Sequence, residues 1–71
     1  MLARAELYFE IDSDAYLKIT VGNEGAEPLI MELTYDDRGI IIEQKQFSLR
    51  DEKALNEYIV QALQQYGRAA A

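Results

Sequence analysis

Polar and apolar side chains alternate along residues 3–11, with Ala3, Ala5, Leu7, Phe9 and Ile11 on one side and Arg4, Glu6, Tyr8 and Glu10 on the other. A period of two predicts a strand with one face buried, because successive side chains of an extended chain point to opposite sides. The alternation returns over residues 15–21, with Leu17, Ile19 and Val21 opposed to Tyr16, Lys18 and Thr20. Between the two stretches stands Asp12-Ser13-Asp14, whose short polar side chains bond nearby backbone N–H groups and favour a turn. The two stretches are expected to pair as a hairpin.

Gly22 to Pro28 reads as a loop. Residues 29–35 then predict a third strand, with Leu29, Met31, Leu33 and Tyr35 inward and Ile30, Glu32 and Thr34 outward. Asp36-Asp37-Arg38-Gly39 reads as a tight turn in which Gly39 takes a left-handed backbone. Residues 40–47 predict a fourth strand. Neither of its rows, Ile40, Ile42, Gln44, Gln46 or Ile41, Glu43, Lys45, Phe47, is wholly apolar, so its facing stays open and a bulge or an edge position is expected.

After Ser48 the period changes to that of a helix. Ser48 is expected to cap it, with Asp51 three residues on completing a box-like pattern. Leu55, Ile59, Ala62, Leu63 and Tyr66 fall on one stripe, and Gly67 supplies the stop. Short connections place sequence neighbours side by side. The expected fold is therefore α+β: a four-stranded antiparallel β-meander followed by one C-terminal α-helix packed on one sheet face. One domain is expected over residues 1–67, with 68–71 as a frayed tail.

A chain of 71 residues buries only about 60% of its unfolded surface, and chains of this size commonly add disulfides, a metal or a second subunit. There is no cysteine and no histidine here, which removes disulfides, the usual thiolate or imidazole metal sites and the Ser-His and Cys-His nucleophile pairs. Ser13 and Ser48 are accounted for by a turn and a cap, and Gly22-Asn23-Glu24-Gly25 lacks the lysine and following helix of a phosphate loop. No enzymatic activity and no cofactor are expected. Self-association into a homodimer is the remaining source of buried surface.

Thirteen acidic residues against seven basic ones leave a net charge of −6 and a pI near 4.4. Affinity for a phosphate backbone comes from lysine and arginine releasing counterions, so direct nucleic-acid binding is not expected, and a charged partner would be basic. The first residues hold no basic stretch followed by an apolar one, and the longest uninterrupted apolar run, Ile40-Ile41-Ile42, is far too short to cross a bilayer. A cytoplasmic protein without membrane contact is the expectation.

Two places could carry function. The outer face of the sheet, away from the helix, is expected to show Tyr8, Tyr16, Ile30 and Ile41 among Glu32 and Glu43, a mixed patch suited to binding a protein. The first and third turns fall at one end of a meander, which would gather Asp12, Asp14, Asp36 and Asp37. Carboxylates there could hold a hard cation weakly, although the spacing is not that of a calcium loop, and no metal site is assigned.

The order of four strands and one helix resembles that of single-stranded-DNA-binding coactivator domains and of compact phage-encoded inhibitors. The resemblance is one of topology alone. The first group needs grouped basic and stacking residues that this chain lacks. The second agrees with the small size and acidity, and implies a protein that binds or inhibits a larger one. The expected function is a non-catalytic protein–protein interaction module acting as a homodimer. The alternatives are an acidic mimic of nucleic acid that blocks a basic groove, and a weak divalent-cation binder at the aspartate turns.

Overall fold

A computed structural model describes residues 3–67, and the four C-terminal residues expected as a tail lie outside them. The elements are β1 (Ala5–Asp12), β2 (Ala15–Glu24), β3 (Glu27–Asp36), β4 (Ile41–Ser48) and α1 (Glu52–Tyr66). The strands form one open antiparallel sheet in the order β1-β2-β3-β4, and the helix packs on one face of it. Among the described residues no helix is long and apolar enough to cross a membrane.

The second turn is much tighter than the loop expected from Gly22 to Pro28. Glu24 pairs with Glu27, leaving only Gly25 and Ala26 between β2 and β3. Gly25 has φ of 62°, and the first central position of a two-residue hairpin turn is where glycine relieves the strain of positive φ. Gly22 and Pro28 are consequently strand residues, both buried.

That turn sets the register, and the register reverses the expected facing of β3. Val21 lies opposite Ile30, Ile19 opposite Glu32, and Leu17 opposite Thr34. Directly opposed residues of an antiparallel pair point to the same side. Ile30, Glu32 and Thr34 therefore face the helix, while Leu29, Met31, Leu33 and Tyr35 occupy the outer face. Ile30 is fully buried, in the core with Leu17, Ile19, Val21, Leu55 and Ala62. Each leucine, isoleucine or valine among them contributes about 1.5–3 kcal/mol through burial before conformational entropy is counted.

The facing of β4 follows from β3. Phe47, Lys45 and Glu43 oppose Ile30, Glu32 and Thr34 on the helix side. A bulge then intervenes: Thr34 pairs with Glu43 but Tyr35 pairs with Ile41, so Ile42 is the extra residue and Ile41 turns to the outer face. A second bulge lies at Ile11 between the Glu10–Tyr16 and Asp12–Ala15 pairs, taking Ile11 out of the inward row of β1. Both bulges are on edge strands, as the mixed pattern of residues 40–47 led one to expect for β4.

The helix begins later than expected. Ser48 ends β4, and the cap is Asp51, whose Oδ1 accepts from the Ala54 N–H at 2.9 Å. This satisfies one of the backbone donors that a helix start leaves free. The other end stops at Gly67, whose N–H reaches the Leu63 carbonyl with right-handed backbone angles. Leu55 and Ala62 of the stripe are buried and Ile59 and Tyr66 half-buried, while Leu63 is 47% exposed. Two aromatic pairs fasten the helix at its middle and at its C-terminal end: Phe47 meets Tyr58 edge-on at 5.7 Å between centroids, and Phe9 meets Tyr66 at 5.5 Å. Arg4 adds a two-pronged ion pair to Glu52, at 2.9 and 3.0 Å, joining the start of β1 to the first helical turn.

Candidate functional site: the outer face of the sheet

With the facing settled, the sheet surface opposite the helix can be assembled row by row. Tyr8 opposes Lys18, and Lys18 opposes Leu33, which opposes Gln44. One step along, Tyr16 lies opposite Tyr35, which lies opposite Ile41. In the other direction Thr20, Met31 and Gln46 form a third row. Tyr16 and Tyr35 stack with centroids 4.9 Å apart and ring planes 13° from parallel.

This face is broadly apolar. Tyr8 is 62% and Ile41 48% exposed, Tyr16, Met31, Leu33 and Tyr35 are half-buried, and Thr20 and Leu29 towards the Gly25 turn are buried. Its centre carries little free charge. Lys18 reaches Glu6 at 3.9 Å, and the Tyr8 hydroxyl donates to the same Glu6 carboxylate at 3.3 Å. Acids frame both ends. Glu10, Asp12, Asp14 and Asp37 line a shallow depression of about 250 Å³ beside Tyr16, and Glu24 and Glu27 flank the turn at the far end.

Of the six residues expected on this surface, Tyr8, Tyr16 and Ile41 lie there and the other three do not. Ile30 is in the core. Glu32 faces α1, where its carboxylate accepts from the Tyr58 hydroxyl. Glu43 faces the helix side too, beside Lys45 at 4.0 Å on exposed β4. In their place the surface contains Met31, Leu33 and Tyr35, which the alternation along β3 had assigned inward. The signal that identifies them is Gly25-Ala26: a two-residue turn there forces Ile30 opposite Val21 and sends the odd-numbered residues outward.

The four turn aspartates do not act as a unit. Asp12, Asp14 and Asp37 share the depression, but their roles are local. Asp12 Oδ1 accepts from the Asp14 N–H at 2.7 Å. Asp36 Oδ1 accepts from the Ile40 and Arg38 N–H groups, both at 2.9 Å. The Ile40 N–H, followed by the hydrogen bonds from Arg38 and Gly39, holds the Asp36 carboxyl below the usual carboxylate range. Among the described residues no three carboxylates are arranged to hold a metal ion.

Comparison of the chain with protein-family models, with curated proteins and with solved structures finds no match.

Proposed function

We propose that this chain is a non-catalytic protein–protein interaction module that works as a homodimer and binds a larger protein through the outer face of its sheet. The observation that carries the reading is β3. A half-solvated antiparallel sheet keeps its apolar row on the covered face and its polar row on the open one. β3 does the reverse: Ile30, Glu32 and Thr34 lie on the helix side, and Met31, Leu33 and Tyr35, half-buried, lie on the other. The helix covers only one of these faces.

The framing acids specify the partner further. A protein that presents an apolar patch between lysine or arginine side chains would match an apolar centre bounded by Glu10, Asp12 and Asp37 at one end and Glu24 and Glu27 at the other. Tyr8, Tyr16 and Tyr35 suit the centre of such an interface, since tyrosine is among the residues that dominate binding energy when buried between proteins. Rim charges of this kind steer association and fade with salt, while the apolar centre does not.

The test uses three baits side by side: the wild type, the outer-face variant Tyr8→Ala/Tyr16→Ala, and Asn56→Ala on the exposed side of the helix. A partner retained by the wild type and by Asn56→Ala but lost by the outer-face variant supports the reading. Its complex with the isotope-labelled wild type should perturb amide resonances around Tyr8, Tyr16, Leu33, Tyr35 and Ile41. Perturbations confined to the helix, or retention by all three baits alike, would remove it.

A further inference from the structure

We infer that β4 is the homodimer interface, and that two copies join edge to edge through it into one continuous eight-stranded sheet. The inference gives a surface to the homodimer of the preceding reading, and it leaves the outer face of each copy free for a partner. The open strand order leaves two edges, β1 and β4, with backbone donors and acceptors on one side unpaired. Their side chains treat a second copy differently. On β1 the outer row runs Glu6, Tyr8, Glu10 with no cation of its own, Lys18 of β2 reaching Glu6 at 3.9 Å, so antiparallel pairing of two β1 strands sets acids opposite or diagonal to each other. Arg4, just before β1, is taken up by Glu52.

β4 is self-complementary instead. Its helix-side row runs Glu43, Lys45, Phe47, with Gln44 and Gln46 on the other side. Antiparallel pairing about a two-fold axis through Gln44 sets Glu43 of each copy opposite Lys45 of the other. Both helices then lie on the same side of the joined sheet. Within each chain Lys45 already stands opposite Glu32, so the row across the junction would read Glu32, Lys45, then Glu43 and Thr34 of the second copy. Charges alternate along it. Moving the register by one pair in either direction would set Glu43 against Glu43 or Lys45 against Lys45.

Glu43 and Lys45 are available for this. Their side chains are 62% and 61% exposed, and their mutual contact within the chain is a loose 4.0 Å. Ile42, the bulge residue, is 60% exposed and would meet Gln46 of the second copy, gaining cover that the single chain does not give it. The bulge also turns the strand away beyond Ile42, so the shared ladder is short. A dimer built on it should dissociate on dilution rather than persist at all concentrations.

The experiment is light scattering behind size exclusion, on the full chain from about 1 μM to about 1 mM, with charge-swap variants. The wild type should approach twice its chain mass of 8.1 kDa at the high end. Glu43→Lys and Lys45→Glu, each turning two attractive pairs into repulsive ones, should each weaken the dimer roughly tenfold. The double variant Glu43→Lys/Lys45→Glu restores opposite charges across the junction in the same register and should recover most of the loss, residue 45 then standing opposite Glu32 within its own chain. Amide exchange on the wild type needs no variant: β4 amides on the unpaired side should be protected when concentrated and exposed when dilute. A monomer throughout overturns the inference and leaves the outer face to its own test. A dimer indifferent to both single swaps, or broken by Tyr8→Ala/Tyr16→Ala, overturns it as well and moves self-association to the outer face.

Discussion

The Tyr58 hydroxyl, on the sheet-facing side of α1, donates to the Glu32 carboxylate in the middle of β3. This one contact explains how a charged residue is tolerated on the helix-facing side of a central strand, since a partly buried carboxylate keeps its stability only if it is hydrogen-bonded. Burial, followed by the bond to Glu32 and its negative charge, pushes the Tyr58 hydroxyl well above its ordinary value of 10.0. Tyr58→Phe removes the donor and should cost about 1–2 kcal/mol, read as a fall in melting temperature of several degrees.

The pH dependence follows from the sign of that shift. The folded state keeps the Tyr58 proton above the pH at which the unfolded state releases it. The associated stability is fully present below about pH 10 and drains away as pH rises beyond it. Urea melts between about pH 9 and pH 11 should show the wild type losing more stability than Tyr58→Phe. In an absorbance titration the Tyr58 hydroxyl should ionise well above the ordinary tyrosine range. Equal slopes for the two proteins would mean the hydroxyl is not held by Glu32.

Ile30 and Met31 are adjacent in sequence and opposite in place. Ile30 is fully enclosed in the core, and Met31 lies half-buried on the outer face. Ile30→Ala should cost about 2–5 kcal/mol, which is most of what a domain this small possesses. Met31→Ala should cost roughly half of that or less, because its methylenes are already partly in water. Chemical denaturation of the pair decides the facing of β3, and Ile30→Val gives a graded reading, at about 1 kcal/mol, should Ile30→Ala fail to fold.

That reversal marks the boundary of what the sequence made legible. β1 and β2 alternate apolar with polar, so the strands and their facing could be read directly, except at Ile11, which the bulge takes out of the inward row. β3 does not alternate in this way: Leu29, Ile30, Met31 and Leu33 leave no clean polar row, and the polar pair Glu32 and Thr34 suggested the wrong side. What decides its facing is the two-residue turn at Gly25-Ala26, and the Tyr58 hydroxyl on the helix then satisfies the Glu32 carboxylate that the register turns inward. The tight turn was obscured because Gly22 and Pro28 read as loop residues, although only Gly25 and Ala26 turn the chain. The helix start was misplaced by three residues because Ser48 and Asp51 are both good capping residues, and only the three-dimensional end of β4 chooses between them. Within the outer patch, Tyr8, Tyr16 and Ile41 were found and Met31, Leu33 and Tyr35 were missed for the same reason as β3 itself.

Asp51 and Ser48 can be told apart as caps in solution. Asp51→Ala should lower the melting temperature and loosen the helix, whereas Ser48→Ala should change little. The Ala54 N–H, with smaller help from Arg50, holds the Asp51 carboxyl below the usual carboxylate range. A depressed folded value means this contribution is present above about pH 4 and fades as pH falls through the folded value. Asp51→Asn keeps a capping oxygen without a charge to titrate. Melts followed by circular dichroism should therefore separate wild type from Asp51→Asn in acid dependence, and both from Asp51→Ala at neutral pH.

Gly39 and Gly67 should respond to the same substitution with opposite sign. Gly39 closes the β3–β4 turn with φ of 82°, where its N–H donates to the Asp36 carbonyl at 3.0 Å. An added Cβ would meet nothing within 4 Å, so the cost of Gly39→Ala is backbone strain alone, about 1–2 kcal/mol for a side chain forced into the left-handed region. Gly67 ends α1 with φ of −68°, a conformation alanine adopts freely, and it too has open space around it. Gly67→Ala should be neutral or stabilise by up to about 1 kcal/mol, because it restricts the unfolded chain without straining the folded one. Matched urea melts of the two variants should move the midpoint in opposite directions. Destabilisation of equal size at both would mean that Gly67 is needed in a left-handed cap after all.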